Sequence, residues 1–150
     1  MTGFWKTWIT LWCWGVILFG AVLATAGLPA TDAIARFAFA LIGGVEAGPD
    51  YFSPPGMRFS VTLMGAVTLG WGFTILFLLR AIHSAGAPAW RGLTAAMLIW
   101  FVIDSAFSVS LGFPLNAVSN TVLIVGLLVP LLASGALKSA HLSPRQGDLP

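Results

Sequence analysis

Apolar residues crowd into four long blocks, residues 4–27, 57–79, 90–113 and 115–137, separated by stretches where proline, glycine and charge collect. Crossing ~30 Å of hydrocarbon at ~1.5 Å per residue takes roughly 20 mostly apolar residues, and each block is long enough. Lys6 stands at the start of the first block, Arg58 and Arg80 lie at the two ends of the second, and Lys138 closes the fourth. The third holds the one deep charge, Asp104. No block alternates strictly between apolar and polar residues, which argues against a β-barrel. Inside lipid every backbone N–H and C=O must find its partner within its own segment, so the blocks read as spanning helices.

The connections refine this pattern. Residues 28–56 form one long outer loop, 81–89 a short inner one, and Gly112-Phe113-Pro114 a tight outer turn that makes the last two helices antiparallel neighbours. Within the long loop, Thr31 or Asp32 can cap a helix, Ile34, Phe37 and Leu41 follow at helical spacing, and Gly43-Gly44 can end it. About 11 residues give roughly 16 Å, too short to span. This amphipathic helix is expected at the interface or over the bundle mouth, with Arg36 as its one charge. Pro49, Pro54, Pro55 and Gly56 keep the return to the second span irregular, and Pro130 should bend the last one. Residues 139–150 read as a disordered polar tail.

Composition excludes most alternatives. Apolar residues make up 58% of the 150 and charged residues 8%, against about 25% charged in a soluble domain. That is too little polar surface for a soluble enzyme, and a net charge of +2 is too small for a nucleic-acid binder. A single cysteine, Cys13, excludes an intramolecular disulfide, a thiol relay or a multi-cysteine metal site. Placing Lys6, Arg80, Arg91, Lys138 and Arg145 on one side leaves only Arg36 and Arg58 on the other. The positive-inside rule then puts both termini in the cytoplasm of a bacterial inner membrane or its equivalent, with Trp5, Trp8 and Trp90 at that interface. A rival reading takes Lys6, the first apolar run and Ala24-Thr25-Ala26 as a cleavable signal peptide. The length of the run and the four tryptophans in its first half weigh against it.

Asp104 is the sharpest chemical signal, because a carboxylate at mid-bilayer costs ~2.5–3.5 kcal/mol and should face a partner inside the bundle. Asp104, Ser108 and Gly112 share one face of the third span with Ser105 adjacent, and Asn116, Ser119 and Asn120 share a face of the fourth. Counting outward from Pro114 sets Ser108 level with Asn120, with Asp104 one turn deeper. These residues are expected to form a hydrogen-bonded seam. Its simplest form is structural, with Asp104 protonated and donating; alternatively Asp104 carries protons or cations, or Arg58 holds it ionised. Gly20 and Ala24 on the first span, and Ala66 and Gly70 on the second, are small-xxx-small pairs where backbones are expected to approach. Trp71 and Trp100 are candidates for the wall of a ligand pocket.

Other chemistry finds little support. Cys13 among tryptophans reads as inert filler. His83 and His141 fall in the inner loop and tail, so no intramembrane haem ligand exists, and Glu46, Asp50 and Tyr51 make a thin cation set. No catalytic pairing, cofactor motif or metal-ligand spacing appears. In size the chain is similar to small multidrug exporters, which depend on a glutamate in their first helix. The corresponding region here reads Trp12-Cys13-Trp14-Gly15. In layout it also resembles small DoxX-like four-helix membrane proteins, a resemblance of architecture that carries over no residue roles.

The sequence therefore predicts an all-α integral membrane protein, an antiparallel four-helix transmembrane bundle with a short amphipathic helix in its outer loop. The first functional expectation is a non-enzymatic accessory subunit, without cofactor or metal, joined to a membrane-protein partner or to copies of itself. The second is a small proton- or cation-coupled transporter using Asp104. The third is a membrane binder or sensor of a lipid-soluble small molecule.

Overall fold

The computed structural model describes residues 1–138; the expected disordered tail, with His141 and Arg145, lies outside the described residues. Five helices follow one another: α1 (Gly3–Ala24, continued by a 3-10 turn at Thr25–Gly27), α2 (Ala33–Gly43), α3 (Pro55–Ala85), α4 (Ala87–Ser110) and α5 (Pro114–Ala133). Among the described residues there is no strand. Four of the helices, all but α2, are long and apolar enough to cross a membrane.

Proline and glycine set the boundaries. Pro55 is the first residue of α3, where its fixed φ suits a helix and its missing N–H has no intrahelical role. The helix therefore begins earlier than hydrophobicity suggests. It also runs on through Arg80 and His83 to Ala85, so the expected inner loop at 81–89 is corrected to a single hinge residue, Gly86. Gly86 has φ 72°, a conformation open to glycine, and Pro88 fits in the first turn of α4. At the other end Gly44, φ 66°, terminates α2.

The closest packing joins α1 to α3. Gly20 lies against the backbone of Leu69 and the Gly65 carbonyl, Gly65 against the backbone of Leu23 and Ala24, and Gly72 against Ile17. A side-chain carbon added at Gly20 or Gly65 would overlap backbone atoms of the facing helix. The expected face of α1 is used, but the partners on α3 are corrected. Ala66 and Gly70 are exposed and nothing approaches Gly70, because successive residues on a helix diverge by about 100°. Gly65 and Gly72, two helical turns apart, hold the contact instead.

Helix α5 is tied to α1 through indole nitrogens. Pro130 cannot donate to the Gly126 carbonyl four residues back, and Trp8 Nε1 donates to that carbonyl at 2.8 Å. Trp12 Nε1 donates to the Leu123 carbonyl at 2.9 Å, its ring lying over Gly126. Around these contacts Ile9, Cys13, Ile75, Leu79, Trp90, Met97, Ile124, Leu127 and Leu131 form the main core. His83 belongs to it rather than to a loop. It sits in the last turn of α3 with its ring edge-on to Trp90 and Nδ1 2.6 Å from the Leu79 carbonyl.

A second, smaller core lies at the α2 end, where Leu23, Ala26, Ala35, Phe52 and Val61 meet. Phe52 is fully buried and packs edge-on against Phe39 and Tyr51. The inward face of α2 is thus Ala35, Ala38, Phe39 and Ile42, at i, i+3, i+4 and i+7. The expected stripe of Ile34, Phe37 and Leu41 lies on the opposite, outward face and is more than half exposed.

Candidate functional site

Helices α3 and α4 meet through His83 and Trp90 near Gly86, and again where Trp71 lies 5.4 Å from Trp100. Beyond that pair they border a half-open cavity of about 1020 Å³, with Val67, Phe107 and Leu111 exposed along its rim. Trp71, Leu93, Met97 and Trp100 form its floor; Ala38, Phe39, Ile42 and Gly43 of α2, with Phe113, cover the other end. Leu63, Met64, Val67, Phe107 and Leu111 line its sides. Most of the wall is apolar, and Trp71 rests on Trp12 of α1, which fixes its ring from behind.

One wall is polar. Asp104 lines the cavity together with Ser108, Asn116 and Asn120, and among the described residues no lysine, arginine or histidine joins them. Oδ1 of Asp104 accepts from Ser108 Oγ at 3.1 Å, Asn116 Nδ2 at 2.9 Å and Asn120 Nδ2 at 2.8 Å. Asn116 Nδ2 also donates to Ser108 Oγ at 2.8 Å, and Asn120 Nδ2 reaches Ser105 Oγ at 3.4 Å. The α4–α5 turn is short enough that residues near Pro114 on the two helices must face one another. Polar side chains at helical spacing on both then share one seam.

Two details depart from the sequence reading. Asn120 meets Asp104, and Ser108 meets Asn116, so the register differs by one turn from a count outward from Pro114. Ser119 stays out of the seam, because its hydroxyl donates to the Leu115 carbonyl of its own helix. Both amides and the Ser108 hydroxyl converge on Oδ1, and no hydrogen bond within the described residues uses Oδ2.

Arg58 is engaged elsewhere, which overturns its expected pairing with Asp104. It donates from Nη2 to Asp32 Oδ2 at 3.0 Å and from Nη1 to the Ala26 carbonyl at 2.5 Å. Arg36 Nε donates to the other oxygen of Asp32 at 3.0 Å. Asp32 is 2% exposed and occupies the N-cap position of α2 without capping it, because its carboxylate is spent on the two arginines. Burial works to raise its pKa, and the hydrogen bonds and charges of Arg58 and Arg36 outweigh that effect, holding the carboxyl below its ordinary value. This clasp fixes α2, the roof of the cavity, to the ends of α1 and α3. Only the i, i+4 spacing of Asp32 and Arg36 hinted at it in the sequence.

Among the described residues no group of three or more His, Cys, Asp or Glu side chains comes together. Asp50 receives a long hydrogen bond from Ser53 at 3.4 Å. Cys13 is fully buried in the main core, away from the cavity wall. Comparison with known proteins finds no matching family model, curated protein or solved structure, so the site must be read from its own geometry.

Proposed function

We propose that this is a multi-pass membrane protein that binds a lipid-soluble molecule between α3 and α4. Of the three readings open to the sequence, binding of such a molecule accounts best for a large apolar cavity with one polar wall. In this reading α1, α3, α4 and α5 are the spans of an antiparallel bundle with both termini in the cytoplasm. The outward Ile34, Phe37 and Leu41 of α2 then rest in the outer leaflet, which explains apolar residues on both faces of a short helix.

The observation that carries the proposal is the cavity of about 1020 Å³, at the upper end of the size of ligand sites, ending on a cluster of hydrogen-bonding groups. A seam serving packing alone would close over its polar atoms. Here three hydrogen bonds at ~0.6 kcal/mol each offset about 2 kcal/mol of the ~2.5–3.5 kcal/mol cost of an intramembrane carboxylate. The remainder is small but unfavourable, and a bound polar head would remove it. An accessory subunit requires no cavity of this size within one chain.

The test is native mass spectrometry of the protein released gently from its own membrane. One lipid-soluble molecule per chain is expected on the wild type and should be strongly reduced in Ala96→Phe, which narrows the cavity from α4 away from the polar wall. A bare chain in both, or fixed stoichiometry with another polypeptide, would contradict the proposal.

A further inference from the structure

The polar wall also carries the chemistry of the ligand's head. Among the described residues Asp104 is the one titratable side chain lining the cavity, and no cationic side chain lines it with Asp104. The ion pairs among the described residues join Asp32 to Arg36 and Arg58, at the α2 clasp. Three donors converge on Oδ1, and amide or hydroxyl donors of that kind settle a carboxylate without neutralising it. Oδ2 is left to accept from whatever enters. One turn deeper, Trp100 and Trp71 present aromatic rings to the same space. A tryptophan face attracts a cation within about 6 Å of its centre, more strongly where water is absent.

Building on the binding reading above, we infer that the cavity selects a lipophilic amine: an ammonium head on Asp104 Oδ2 beside the Trp71–Trp100 pair, with the hydrocarbon body along Met64, Val67 and Phe107. An anionic head is disfavoured, since it would meet a carboxylate with no basic residue in the wall to answer it. A neutral alcohol satisfies Oδ2 but leaves the charge unmatched in a low-dielectric site, where an opposite charge counts far more than it does in water.

The experiment compares three amphiphiles of one chain length, each brominated on the chain: hexadecylamine, hexadecanol and hexadecanoate. The full-length protein is held in phosphatidylcholine nanodiscs, and binding is read as bromine quenching of tryptophan fluorescence. Partition into empty nanodiscs is measured separately and subtracted. The amine is expected to bind roughly tenfold or more tightly than either of the others, equivalent to about 1.4 kcal/mol. Asp104→Asn should abolish that preference while the alcohol still binds. Circular dichroism verifies that the variant is folded, and if it is not, the wild-type series decides alone.

Equal binding of all three, or tightest binding of the acid, overturns the amine inference and leaves the binding proposal standing. Failure of all three to quench beyond the partition control overturns both.

Discussion

At the scale of single residues, two polar problems created by the sequence find different solutions. Pro130 deprives the Gly126 carbonyl of its donor, and a tryptophan more than a hundred residues away supplies one. The two residues should therefore be measurably coupled. Trp8→Phe should destabilise the protein by up to about 1 kcal/mol, because the half-buried Gly126 carbonyl loses its partner. In the background of Pro130→Ala, which restores the helical donor, the same change should cost appreciably less. A double-mutant cycle on thermal unfolding in detergent reads this directly, and equal costs in both backgrounds would show that the two residues act independently. Asp104 is the second problem. The polar residues around it were legible because helical spacing and a short turn put them on facing sides. Their register was not, because the depth of a side chain depends on how two helices settle, and a count along the chain misses that by a turn.

At the scale of elements, the apolar blocks themselves located the long helices, since no other backbone arrangement suits such runs. Their ends were less legible. Pro55 and Gly86 act through backbone geometry, which hydrophobicity does not record, and so α3 is longer and its link to α4 shorter than the pattern suggests. The orientation of α2 was hidden for a different reason: both of its faces are apolar, and only the tertiary clasp at Asp32 decides which is inward. That clasp gives a pH dependence with a definite sign. The folded Asp32 carboxyl lies below its ordinary value, so its contribution is fully present above the unfolded pKa of about 3.9 and is lost as pH falls through the folded value. Protease cleavage within residues 28–56 should therefore be slow and flat at neutral pH and accelerate only in strong acid. Asp32→Asn, which leaves Arg36 and Arg58 without a carboxylate, should make the loop vulnerable at neutral pH as well. A wild-type loop that opens between pH 5 and 7 would contradict this assignment.

At the scale of the whole molecule, α1 and α3 form a close-packed pair around Gly20, Gly65 and Gly72, and α4 and α5 a second pair along the polar seam. The cavity is the space these pairs leave where α3 and α4 diverge beyond Trp71 and Trp100, and α2 roofs it. The two tryptophans and the seam could be named from sequence, but a void between helices has no signature in a chain read one segment at a time. Photolabelling in the membrane tests that site most directly: a hydrophobic amine bearing a diazirine on its chain is crosslinked to the protein, and the adducts are located by mass spectrometry of peptides. Adducts are expected to concentrate on the sheltered cavity walls, at Leu93, Met97 and Trp100, and to be strongly reduced by Ala96→Phe. Adducts spread evenly over outward residues such as Phe77, Val102 and Val122, and unchanged by that substitution, would contradict it.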